Sequence, residues 1–245
     1  EPVALFFSLT AFWSVLTGRM RLGLLSTLAC LLTNWLGIYL VLGITMLLGK
    51  KAWPFWALAG SVVGLHLLHT WWVTGSVWGG GLWEIFVYRT GRVNVGQLIQ
   101  RWREWSVSLY SIWLLAAFAF GSLRIWWRGN TQHRRLWMAL FIYGFGYALT
   151  FTNAAYIHDY FIYSSVAVVS LSAAVLVAQS AKWWPVLTTI LWLAVWQTTN
   201  PYVVALDASY GDRLAVQIGS FLHNQTEAGA KILVVPTSYA ASRRP

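Results

Sequence analysis

The chain has 245 residues, 58% of them hydrophobic and only 10% charged, with a mean hydropathy of +0.58. Soluble domains carry about 25% charged residues, so the composition excludes an ordinary water-soluble domain and places the chain in the membrane class. The formal charge of +10 does not point to nucleic acid, because the cations mostly sit in short loops between apolar runs, which is a topology signal.

Apolar runs cover 2–17, 22–49, 53–75, 106–127, 136–152, 160–181 and 183–205. A helix needs about 20 residues to cross the hydrocarbon core, and most runs fit one crossing each. The expected fold is an all-α polytopic membrane protein. It comprises a multi-helix transmembrane bundle over 1–206, with an outer loop at 76–105, and a short outer α/β tail over 207–245. The 18 tryptophans and 11 tyrosines fit this class, since their rings favour the membrane–water interface. The first run follows Glu1 with no basic n-region and no cleavage site, so it is not read as a signal peptide. The chain is expected to be a piece of a longer membrane protein. One cysteine, Cys30, lies inside an apolar run, so no disulfide framework exists.

Run 22–49 fits either one long tilted helix or two short ones broken near Thr33, Asn34 and Trp35. Charge separates the two. With a hairpin of short helices, Arg19, Arg21, Lys50, Lys51, Arg124, Arg128, Arg134, Arg135 and Lys182 all fall on one side, nine cations with no acid. The opposite loops then hold Arg89, Arg92, Arg101 and Arg103 with Glu84, Glu104 and Asp159. A single crossing would share the cations almost evenly, so the positive-inside rule favours the hairpin, with the basic loops cytoplasmic.

The outer loop opens with Gly79-Gly80-Gly81 and then mixes aromatic, apolar and basic residues. Val93–Trp105 suits an amphipathic helix in the interface plane. The loop is either a surface segment anchored by tryptophans or a lid whose arginines meet a phosphate, which suits the planar, two-pronged guanidinium. His66 and His69 share a helical face, either as a metal pair without a third ligand in view or as a hydrogen-bonded interfacial pair. No cofactor follows from the sequence, and a divalent metal ion stays open as one. His133 belongs to the basic cluster, and His223 has no special context.

The segment Asn153–Tyr163, "NAAYIHDYFIY", places His158 and Asp159 at the outer mouth of a helix, beside Tyr156 and Tyr160. Asp159 either caps that helix, or His158 faces an outward cavity with Asp159 orienting it or binding a substrate hydroxyl. Such a pair holds a phosphate or shuttles a proton. The tail from Asp207 turns polar and reads as helix, turn, strand. Its Asn224-Gln225-Thr226 matches a glycosylation sequon, a weak signal.

Three stretches carry a family resemblance: "EPVALFFSLTAFWSVLTGR" from Glu1, "LGLLSTLACLLTNWLGIYLVLGITMLLGKK" from Leu22, and "YIHDYFIYSSVAVVSLSAAVLV" from Tyr156. They resemble the polytopic GT-C-type glycosyltransferases that use lipid-linked sugars, the group of protein mannosyltransferases and aminoarabinose transferases. Two departures stand out. Thr33-Asn34 occupies the break where the family usually has a lysine-like residue, and Phe161 replaces the second tyrosine of a His-Asp-Tyr-Tyr start.

The resemblance implies transfer of a sugar from a polyprenyl-phosphate donor to an acceptor on the extracytoplasmic face of a bacterial inner membrane. It also implies that the catalytic aspartate lies in a loop before Glu1, so that this stretch alone lacks the base. The catalytic candidates are Glu1, His158 and Asp159. The substrate-binding candidates are Arg89 and Arg92, with Arg101 and Arg103 behind them, and Tyr160. The expected partners are the lipid-linked donor and membrane lipids, not nucleic acid. The competing class is a non-enzymatic transporter or flippase subunit. Clustering of the ionisable groups on one side, without an internal repeat, speaks against it. A structural subunit stays open as a third reading.

Overall fold

The computed structural model describes residues 2–79, 81–91, 93–157, 163–179, 182–193 and 195–196. They are helical, with no strand among them. In chain order the helices are α1 (Pro2–Leu16), α2 (Met20–Thr33), α3 (Leu36–Leu48), α4 (Trp53–Thr74), α5 (Leu82–Arg89), α6 (Val95–Arg128), α7 (Thr131–Thr150), α8 (Thr152–Ile157), α9 (Val166–Ala178) and α10 (Trp184–Leu193). The tail expected to form an α/β unit, and the boundary drawn at 206, lie outside the described residues.

Run 22–49 is two short helices. The chain leaves α2 at Asn34, which is extended at φ −158° and ψ 148°. Its Oδ1 then accepts a hydrogen bond from the Leu36 amide at 3.1 Å. Contacts fix the directions. Ser8 of α1 meets Cys30 of α2 at 3.2 Å, and a Cβ on Gly23 would touch Val15 at 3.4 Å and Phe55 at 3.6 Å. So α2 runs against α1 and alongside α4. The Trp56 indole donates to Thr45 at 2.9 Å, and Trp35 packs edge-on against His66. So α3 runs against α4, and hence against α2. The reversal between α3 and α4 is a 3-10 turn over Gly49–Ala52, and Gly49 supplies its φ of 57° without steric cost.

The remaining helices continue the pattern. Gly43 of α3 abuts the Ala139 carbonyl, and Tyr39 meets Tyr147, which makes α7 antiparallel to α3. Trp137 of α7 donates to Ser122 of α6 and to Ser172 of α9, both at 3.0 Å. Tyr110 pairs with Ser165 at 2.9 Å, and the Arg124 Nε donates to the Gln179 side chain at 2.8 Å, so α6 and α9 run side by side in one direction. One hydrophobic cluster, with Phe12, Leu40, Ile44, Phe55 and Tyr143 among its members, joins α1, α3, α4 and α7.

In α1 burial does not follow polarity. Its inward positions include Ala4, Ser8, Ala11 and Ser14, each 0% exposed, and Phe12 at 3%, whereas Phe6 is 64% and Trp13 48% exposed. Small residues let backbones approach where the surroundings are as apolar as the side chains. Two helical stretches, Leu36–Thr74 and Leu109–Arg128, are long and apolar enough to cross a membrane. The first folds back at Gly49, so α4 is the part with the length to cross by itself, its 22 residues rising about 33 Å.

The register gives the assembly two unlike ends. Arg19, Arg21, Lys50, Lys51, Arg124, Arg128, Arg134, Arg135 and Lys182 lie at one end, because the α1–α2, α3–α4 and α6–α7 connections and the close of α9 all fall there. The other end holds α5, the start of α6 and α8.

Candidate functional site

The segment between α4 and the membrane-length part of α6 is expected as a loop over 76–105. It is instead two helices. α5 forms after Gly81, whose φ of 77° turns the chain. α6 starts at Val95 because Asn94 caps it: the Asn94 Oδ1 accepts from the Gly96 amide at 2.9 Å and from the Gln97 amide at 3.3 Å. The interfacial helix expected from Val93 is therefore the first part of α6. It is set off from the long apolar part by Ser111, which sits at φ 58° and ψ 160°.

This segment docks on the corner between α7 and α8. The Asn153 amide donates to the Tyr88 carbonyl at 2.7 Å, and the Thr152 hydroxyl donates to the Gly91 carbonyl at 3.4 Å. Phe86 packs edge-on against Phe151 and stacks on Trp83. The docking aims Arg89 inward. Its Nη1 donates to the Tyr147 hydroxyl at 3.0 Å, and that tyrosine is buried and in ring contact with Tyr39 and Phe151. A guanidinium carries five donors, so one bond to a phenol leaves most of the fork for an anion.

Arg101 comes to the same corner from α6. It lies over the Tyr156 ring at 5.7 Å and the Trp105 ring at 5.8 Å, and it pairs with Glu104 at 3.3 Å. The ion pair is about half exposed and contributes little by itself. Arg103 is exposed and lies about 200° around the helix from Arg101, so the two arginines do not face one ligand together. Beside them the Trp102 indole N–H is buried without an acceptor.

Among the candidates, then, Arg89 reaches Tyr147 in the last turn of α7 and Arg101 lies over Tyr156 of α8, the helix that leads directly into His158. Glu1, Arg92, His158, Asp159 and Tyr160 lie outside the described residues. The helical part described beyond them opens with Ser165 in the N-cap position of α9. His66 and His69 line a mostly apolar cleft of about 510 Å³ with Thr33, Asn34 and Trp35. His66 meets an indole edge there rather than forming the expected hydrogen-bonded pair. Among the described residues no cluster of three or more His, Cys, Asp or Glu side chains could hold a metal ion.

No protein-family model, curated protein or solved structure matches the chain.

Tyr147, Asn153 and Trp102 were not legible as site residues. Tyr147 reads as one more apolar-run aromatic, and its partner Arg89 is 58 positions away. Asn153 opens the quoted segment, but nothing local marks it as the residue that clamps α5.

Proposed function

We propose that this chain is the membrane-embedded part of a glycosyltransferase that moves a sugar from a polyprenyl-phosphate donor to an acceptor. The observation that carries the reading is that Arg89 and Arg101 each contact a tyrosine flanking the α7–α8 corner, Tyr147 and Tyr156, in the stretch of chain that precedes His158 and Asp159. The family resemblance rests on that segment too. Three further features support a membrane setting with an interfacial site: outward-facing leucines and tryptophans, small buried residues, and the unlike charge of the two ends. Among the described residues no Asp, Glu, Lys or Arg lies midway along α1, α3, α4, α7 or α9, which favours an interfacial site over a transport path.

In this reading the acceptor attacks the anomeric carbon and the lipid phosphate leaves with the bonding electron pair. Guanidinium groups stabilise the charge that grows on the leaving oxygen. His158 and Asp159 contact donor or acceptor, and Glu1, Arg92 and Tyr160 complete the binding surface. The nine-cation end faces the cytoplasm of a bacterial cell, and the corner faces outward.

The test uses the full-length protein and a polyprenyl-phosphate sugar. Arg89→Ala and Arg92→Ala are expected to weaken donor binding about ten- to a hundredfold, the loss of a charge-assisted hydrogen bond. His158→Ala and Asp159→Asn are expected to reduce transfer sharply in protein that still inserts and folds. Unchanged donor affinity in both arginine variants makes the α5 segment an anchor only. Near-normal turnover in both variants of the His-Asp pair removes that pair from the site.

A further inference from the structure

The cationic end carries a feature that topology alone leaves unexplained. Arg134 is half-buried in the first turns of α7, and its Nε is buried without a hydrogen-bond acceptor. A buried guanidinium donor is costly to leave unmade. The antiparallel register of α3 and α7, fixed by Gly43 against Ala139, sets Lys50 and Lys51 of the 3-10 turn at the level of Arg134 and Arg135. Both lysines and Arg135 are exposed. No carboxylate lies at this end among the described residues, and the one ion pair among them, Arg101–Glu104, is at the opposite end. Like charges gathered this way repel, and no described carboxylate balances them.

We infer that this junction binds the headgroup phosphate of an anionic phospholipid, with Arg134 donating to the phosphate oxygens and Lys50 and Lys51 closing over them. The inference rests on the membrane part of the proposed function and is independent of the transfer reaction. Charge complementarity selects an anion. The surroundings select a lipid: Trp53, Trp127 and Trp183, at the same end, are 70%, 77% and 60% exposed, as indoles are at a headgroup layer. A phosphate ester offers the several acceptor oxygens that a guanidinium fork and two ammonium groups can share, and basic residues beside a membrane helix attract anionic leaflets.

The experiment presents the full chain, purified in detergent, with equimolar phosphatidylglycerol and phosphatidylcholine and counts retained lipid by native mass spectrometry. Phosphatidylglycerol is expected to be retained about tenfold over phosphatidylcholine. Arg134→Ala is expected to bring the two near parity, and Arg134→Lys to keep part of the preference because it retains the charge but not the fork. The double variant Lys50→Ala/Lys51→Ala changes only exposed side chains, and it decides the matter if Arg134→Ala does not fold. Three results overturn the inference: equal retention of both lipids by the native chain, a preference that survives both Arg134→Ala and the double lysine variant, or displacement of the lipid by millimolar inorganic phosphate or a short DNA duplex. Alkaline extraction of membranes, run in parallel, separates the readings. A chain that stays with the membrane but holds both lipids alike loses the lipid site and keeps the transfer reading. A chain that is stripped from the membrane loses both.

Discussion

Gly43 marks the closest approach of α3 and α7. A Cβ there would lie 2.6 Å from the Ala139 carbonyl oxygen and 2.9 Å from the Phe12 ring, and a backbone oxygen held in a helix cannot step aside. Gly43→Ala is therefore expected to lower stability by about 1–3 kcal/mol. Gly60→Ala, where a Cβ would meet nothing within 4 Å, is expected to raise it by up to about 1 kcal/mol through helix propensity. Thermal unfolding of both variants in one detergent checks this, and shifts of the same sign contradict it. Ser111 is the one described non-glycine residue with positive φ, and its ψ of 160° places it where glycine is nearly alone in being comfortable. Ser111→Gly is expected to stabilise by about 1 kcal/mol and Ser111→Val to destabilise, in the same measurement. A melting temperature that falls for the glycine variant shows that the bend is not strained.

At the scale of elements, α5 is held by few bonds, and this makes its docking separable from the packing of the long helices. Asn153 supplies the shortest of them, to the Tyr88 carbonyl. Asn153→Ala is expected to cost about 1 kcal/mol, felt locally. Tryptic cleavage after Arg89 should quicken several-fold while the main unfolding transition stays in place. A shifted main transition with unchanged cleavage instead ties Asn153 to the α7–α8 corner itself. The break at Asn34 was legible from charge balance, because only a reversal collects the cations on one side. The existence of α5 and α8 was not legible. Both are short, neither has a long apolar period, and they are held by bonds between distant parts of the chain, from α8 side chains to the backbone of α5 and of the turn after it.

For the whole molecule the decisive quantity is which side each end faces. In a Cys30→Ser background, cysteines placed at Lys51 and Arg135 are expected to react with an impermeant maleimide only after permeabilisation, whereas cysteines at Ser76 and Gly91 react in intact cells. Labelling of Lys51 from outside overturns the assignment of the basic end to the cytoplasm, and labelling of Lys51 and Arg135 on opposite sides overturns the shared end itself.

What the amino-acid sequence determined alone is the run of long apolar helices, the hairpin over 22–49 and the gathering of the cations. These follow from composition, run length and charge, which are sums over residues and need no knowledge of contacts. What only the tertiary structure decided is which face of each helix is inside and which distant residues meet. In α1 nearly every residue is apolar, so hydropathy has no period to read, and the inward face is set by packing, with Ala4, Ser8 and Ala11 buried on it and Ser8 meeting Cys30 of α2, and with Phe12 against Tyr143 of α7. Likewise no local pattern joins Arg89 to Tyr147 or Arg101 to Tyr156. Those pairs exist because α5 and the start of α6 fold back over the corner of α7 and α8, and a contact of that span is set by packing geometry rather than by neighbours in the chain.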